Sequence, residues 1–84
     1  MSAGTIKVLA FAGAREAIGT GELSLPLDSD TTARALLDRL CVEYPTLAPY
    51  ARSLRLAVNG TYAAWTDAIA PGDEVALIPP VAGG

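Results

Sequence analysis

The sequence predicts an α+β domain in which one main helix packs against a mixed sheet of five short strands. Three observations predict it: several short runs that alternate with period two, one long apolar stripe at helical spacing, and turn residues between them. Thr5 to Phe11 alternates, with Ile6, Val8 and Ala10 on one face and Lys7, Leu9 and Phe11 on the other. Both faces are partly apolar, so this strand is expected either inside the sheet or presenting Leu9 and Phe11 to a partner. Ala14 to Ile18 has room for one helical turn, stopped by Gly19. Glu22 to Leu27 alternates again, with Leu23, Leu25 and Leu27 on one side. Pro26 falls within that run, and its missing N–H places the strand at a sheet edge.

The main helix follows. Ala33, Leu36, Leu37, Leu40, Cys41 and Tyr44 stand at i, i+3, i+4, i+7, i+8 and i+11, one stripe of a 3.6-residue period. Arg34, Asp38, Arg39 and Glu43 occupy the opposite, wet face. Thr31 or Thr32 can cap the first N–H groups, while Asp28 and Asp30 bring negative charge to the positive dipole end. Pro45 disfavours a helical Tyr44 and ends the element there. Leu54 to Val58 reads as a strand, Asn59-Gly60 as a type I′ hairpin turn, and Thr61 to Ala64 as the returning strand. After the turn at Pro71-Gly72-Asp73, Glu74 to Ile78 forms the last strand, with Val75 and Leu77 on one face.

The predicted order is β-β-α-β-β-β. A right-handed crossover from the Leu23 strand through the helix brings the Leu54 strand back parallel to part of the sheet. A β-grasp roll needs this arrangement; another small α+β packing remains open at this point. No repeat or linker divides the chain, so residues 1–78 read as one domain and 79–84 as a flexible extended tail.

Composition narrows the function by exclusion. The chain has no histidine, which removes imidazole bases, Ser-His and Cys-His nucleophile pairs and histidine metal sites. Its single cysteine, Cys41, excludes an internal disulfide and suits a cytoplasmic protein. A net charge of −3 argues against nucleic-acid partners, which demand a basic face. The longest apolar run, Val8 to Ala14, falls far short of the roughly 18 residues a membrane span needs. Ala12-Gly13-Ala14 imitates a signal cleavage site, but Lys7 alone is a poor basic flank and cleavage would delete the first strand.

The remaining side-chain motifs have structural readings. Asp28-Ser29-Asp30 begins like a calcium loop, yet Ala33 and Arg39 stand where that loop needs glycine and a bidentate carboxylate, so no metal site is expected. Gly19-Thr20-Gly21 is a turn, because Ser24 takes the third glycine position of a phosphate loop and no Lys-Ser/Thr pair follows. Cys41, on the apolar stripe, is expected in the core. Trp65, Tyr62 and Tyr50 are too scattered for a base-stacking platform and are expected in surface or partner packing. The chain is poorly equipped to be a self-contained enzyme.

Its end is different. In Pro79-Pro80-Val81-Ala82-Gly83-Gly84 the prolines stiffen the exit from the last strand, and only small side chains follow. Drawn out at about 3.3 Å per residue, these six residues reach roughly 20 Å, a thin probe for another protein's active site. Its reactive group would be the α-carboxylate of Gly84, ionised at neutral pH and inert to nucleophiles until activated. Adenylation by ATP is the simplest activation, after which replacing an oxygen with sulfur creates a mobile nucleophile on a protein handle. Partners would supply the catalysis.

Three passages resemble the small subunit of molybdopterin synthase, among the ubiquitin-like β-grasp sulfur carriers. They are Ile6-Lys7-Val8-Leu9-Ala10-Phe11-Ala12 with Arg15-Glu16 and Gly19, then Ala57-Val58-Asn59, then Gly72-Asp73-Glu74-Val75-Ala76-Leu77-Ile78 with the tail. The terminal Gly-Gly is common to all such carriers, whereas the first passage and Pro79-Pro80-Val81 point to the molybdopterin branch. The resemblance implies Gly84 as the residue that becomes acyl-adenylate and then thiocarboxylate, with Gly83 its unhindered neighbour and Pro79, Pro80, Val81 and Ala82 threaded into a partner. It implies three partners: the large synthase subunit, an adenylating enzyme similar to ubiquitin-activating enzymes, and a sulfur donor such as a cysteine desulfurase or a rhodanese-like protein. ATP would be consumed by the activating enzyme, with no cofactor bound by this chain alone. Two sulfurs would be added in turn to cyclic pyranopterin monophosphate, making the dithiolene of molybdopterin. Leu9, Phe11 and Leu77 are the side chains expected at the partner interface. Relatives often carry aromatics at the positions of Leu77 and Ile78. A carrier for thiamine, cysteine or tRNA thiolation would use the same tail, and a ubiquitin-like modifier is the rival of another class.

Overall fold

The computed structural model describes residues 4–80. In chain order the elements are β1 (Thr5–Ala10), α1 (Ala12–Ile18), β2 (Glu22–Pro26), β3 (Thr31–Thr32), α2 (Ala33–Glu43), a 3₁₀ turn (Pro45–Leu47), α3 (Ala48–Ala51), β4 (Arg55–Val58), β5 (Thr61–Tyr62), β6 (Ala68–Ile69) and β7 (Glu74–Ile78). Five strands make one mixed sheet in the order β2-β1-β7-β4-β5, and β3 pairs with β6 in a separate two-stranded ribbon. This is the β-grasp arrangement. As expected, β1 is an internal strand and β2, with Pro26, an edge. The last strand lies at the centre, parallel to β1 and antiparallel to β4. β4 runs in the same sense as β2, as the crossover requires, but the two are not neighbours.

One sheet face is buried under the helices. Ile6, Val8 and Ala10 of β1, Leu25 of β2, Leu56 of β4 and Val75 and Leu77 of β7 join Ala33, Leu36, Leu37 and Leu40 of α2 in a single core. No polar side chain is buried among the described residues. α2 is held at its start by three partners, because its first N–H groups have none within the helix. Thr32 Oγ1 accepts from Ala35 N–H at 3.1 Å. The carbonyls of Asp67 and Trp65 accept from the N–H groups of Ala33 and Arg34, each at 3.0 Å. The Arg34 guanidinium also lies 5.3 Å from the centre of the Trp65 ring, within cation–π range.

The segment between α2 and β4 is more ordered than the sequence indicates. Pro45 ends α2 as expected, but the chain continues through two short helical turns that bury Leu47 completely. α1 begins two residues earlier than expected, at Ala12, whose φ of 50° is left-handed. The Asn59-Gly60 turn has φ values of 52° and 86°, both positive as a type I′ turn requires. Asn59 also ties the hairpin to the centre of the sheet. Its Oδ1 accepts from Glu74 N–H at 3.0 Å, and its Nδ2 donates to Asp73 Oδ1 at 3.1 Å.

Asn59→Ala loses both hydrogen bonds and leaves a β-carbon in the left-handed region. It is expected to cost about 2 kcal/mol. That corresponds to a fall of roughly 10 °C in Tm for a domain this small, measurable by thermal denaturation.

Candidate functional site at the root of the tail

β7 delivers the chain end from the middle of the sheet rather than from an edge. Register then decides what surrounds its exit. Ala10 stands beside Leu77 in the parallel ladder, and Arg55 stands opposite Ile78 in the antiparallel one. Phe11 and Arg55 therefore belong to the end of the sheet from which Pro79 and Pro80 emerge. The two prolines form a wall shared by two clefts. One, of about 600 Å³, is also lined by Arg52, Arg55 and Tyr62; the other, of about 270 Å³, by Gly13, Pro49 and Tyr50. Gly13 lets the Tyr50 ring lie close to α1, because a β-carbon at that position would come within 2.6 Å of the ring and displace it.

The face of the sheet turned away from the helices carries an apolar row. Cross-strand pairing lines up Leu9 with Ala76, Ala76 with Ala57 and Ala57 with Tyr62, and directly paired residues share a face. The neighbouring row, on the side away from the tail, is polar: Ser24, Lys7 and Glu74. Ile78, from the same face of β7, extends the apolar row toward the tail. Leu9, Ala57, Ala76 and Ile78 are half-buried. Tyr62 is 68% exposed, Phe11 46% and Tyr50 43%, so the most exposed aromatics of the described chain stand around the tail's exit.

Leu77 has to be corrected. It was expected at a partner interface, but it is 0% exposed and packs beneath the helices. Alternation along β7 explains this: Val75 and Leu77 point inward, so Ala76 and Ile78 take the open face. Leu9 lies on the open face of the sheet and Phe11, just past the end of β1, is exposed. Tyr62, expected in surface or partner packing, is exposed on this face. Ala57, Ala76 and Ile78 were not singled out from the sequence, although the inward parity of Val75 and Leu77 is signal enough for the two on β7. Pro79 and Pro80 lie at the end of the described chain; Val81, Ala82, Gly83 and Gly84 lie outside the described residues.

No rival chemical centre emerges elsewhere. Cys41 is half-buried against the core, and burial, reinforced by the nearby Asp38 carboxylate, pushes its thiol pKa up. A raised pKa leaves less thiolate at neutral pH, the opposite of what a nucleophile needs. Among the described residues no group of His, Cys, Asp or Glu is placed to hold a metal ion. No helix of the described residues is long and apolar enough to cross a membrane.

Comparison with known proteins agrees with this geometry. The ThiS family model matches residues 8–84. The chain belongs to the ThiS family. It is 39% identical over 79 residues to a molybdopterin synthase sulfur carrier subunit of Arabidopsis thaliana, covering 94% of this chain and 82% of that one. The similarly named subunit of Mycobacterium tuberculosis is 36% identical over 80 residues, covering 94% and 96%. Small archaeal modifier protein 1 of Haloferax volcanii is 34% identical over 82 residues, covering 88% and 94%. A crystal structure of SAMP1 from Haloferax volcanii superposes with a TM-score of 0.79 at 33% identity, over 96% of this chain and 100% of that one. The resemblance drawn from the three sequence passages therefore stands.

The state of Cys41 gives a direct check. Its alkylation by iodoacetamide at pH 8 is expected to run several-fold slower than that of a free cysteine, speeding up only at more alkaline pH. Cys41→Ala should leave any activity of the chain intact.

Proposed function

We propose that this chain is the sulfur carrier subunit of a molybdopterin synthase, with the carboxylate of Gly84 as the working group. The observation that carries the reading is the position of the tail's root, where a central strand ends in Pro79 and Pro80 beside an uncovered apolar row and exposed aromatics. Aromatics are enriched at protein interfaces, and Phe11, Tyr50 and Tyr62 supply them here. Membership of the ThiS family and the names of the relatives support the same reading.

The chemistry follows from the end group. An activating enzyme would join the Gly84 carboxylate to the α-phosphate of ATP, releasing pyrophosphate. A persulfide on the donor protein would then displace AMP to give an acyl disulfide. A second thiol would cleave its S–S bond, leaving C(=O)S⁻ at the chain end and a disulfide between the donor cysteine and that thiol. The large subunit would take the tail in its channel, with the row from Leu9 to Tyr62 and Phe11 resting on its surface. Glycine at the last two positions minimises bulk at the reacting carbon. Each turnover would return a carboxylate, ready for another round of activation.

Thiocarboxylated protein mixed with the large subunit is expected to convert cyclic pyranopterin monophosphate to molybdopterin; no conversion would count against the reading. Removing Gly83 and Gly84 should abolish conversion while leaving Tm within about 2 °C of the intact chain, because no core residue is touched. Gly84→Ala should fold normally but slow activation and transfer. A second reading, a ubiquitin-like modifier, is favoured by the likeness to small archaeal modifier protein 1. It predicts lysine-linked conjugates that depend on Gly84 in a lysate of the native host.

A further inference from the structure

Charge is spread unevenly along this chain. Acidic residues outnumber basic ones by 9 to 6, yet between Glu43 and Asp67 the only charged side chains are Arg52 and Arg55. The fold brings both to the tail. Arg52 caps the end of α3, Arg55 stands opposite Ile78, and the two line one cleft with Tyr62 while Ile78, Pro79 and Pro80 wall it. Both arginines are exposed, and the one ion pair among the described residues is Arg39–Glu43, on α2. A net acidic domain thus keeps two cations at the root of its tail without carboxylate partners among the described residues.

The geometry points to a docking site for carboxylates of the large subunit, placed around the mouth of the channel that receives the tail; the inference rests on the function proposed above. A small anion fits the cleft poorly. It needs several converging donors, and beside the arginines the only side-chain donors lining the cleft are the Ser53 and Tyr62 hydroxyls, while Ala63, Ile78, Pro79 and Pro80 offer none. Phosphates of an activating nucleotide fit no better. Drawn out, the four residues beyond Pro80 carry the Gly84 carboxylate roughly 13 Å away, farther than the Debye length of about 8 Å at physiological salt. A protein surface has neither difficulty. Guanidinium forks match carboxylates in two-point geometry.

The cleft is also continuous with the apolar row. Tyr62 belongs to both, and Ile78 extends the row into the cleft wall. An apolar centre with charge at its rim is the usual anatomy of a docking surface, and rim charge acts mainly on association rate and its salt dependence.

The test is the association rate of the full-length chain with the purified large subunit, at about 50 mM and about 500 mM sodium chloride. Arg52→Glu/Arg55→Glu is expected to slow association about tenfold at the lower salt and about twofold or less at the higher. Arg52→Lys/Arg55→Lys keeps the charge and should associate at close to the wild-type rate, but dissociate faster because it lacks the fork. Arg52→Gln/Arg55→Gln should fall between, and decides the matter if the reversed pair melts early. Equal rates for wild type and the reversed pair at low salt would overturn the proposal, as would a loss that does not change with salt. So would an equal loss in ATP–pyrophosphate exchange by the activating enzyme, which would assign the arginines to that enzyme instead. Failure of the wild-type chain to bind the large subunit at either salt would remove the functional reading itself, and this proposal with it.

Discussion

The parallel pairing of β7 with β1 is the constraint on which the rest of the molecule depends. It puts the last strand in the centre of the sheet, so the chain end leaves from the best-anchored part of the domain. Asn59 holds the start of β7 from the neighbouring hairpin, and Val75 and Leu77 anchor it in the core. A tail attached to an edge strand would move with every fraying of that edge. Here Pro79 and Pro80 follow a strand held on both sides, so they leave the sheet from a fixed origin.

The same sheet divides its two faces between stability and contact. The inner face and α2 form a core of aliphatic residues with no buried polar group among the described residues, so burial there costs little in lost hydration. The aromatics Phe11, Tyr50 and Tyr62 contribute little to that core and stand near the tail instead. A domain of this size has little apolar surface to spare. The large rings left exposed at one end support the docking surface proposed for that end.

Legibility in the sequence followed the length of each signal. α2 was readable from six stripe positions, and its end from Pro45. The type I′ turn was readable because Asn59-Gly60 is a local requirement of backbone geometry. β3 and β6 were not, since two residues cannot display a period, and their pairing depends on the loop that ties Trp65 and Asp67 to the start of α2. The turns from Pro45 to Ala51 were hidden for a similar reason: each is too short to show a stripe, and Leu47 is held by tertiary packing. The chemistry proposed for the tail is drawn from its composition alone, whereas the surface around its root needs the fold. Tyr62, Arg55, Ile78 and Phe11 are scattered along the chain and meet only through strand register. Leu77 shows how strict that register is: one position along β7 separates the core from the open face.

The central claim is that the terminal carboxyl, and no side chain, carries the transferable atom. Intact-mass analysis of the protein purified gently from its native host, followed by fragmentation of the C-terminal peptide, tests it most directly. The account predicts the mass change of one oxygen replaced by sulfur, confined to Gly84. Sulfur found on Cys41, or a C-terminal peptide that stays a plain carboxylate while the protein is sustaining sulfur transfer, would contradict it.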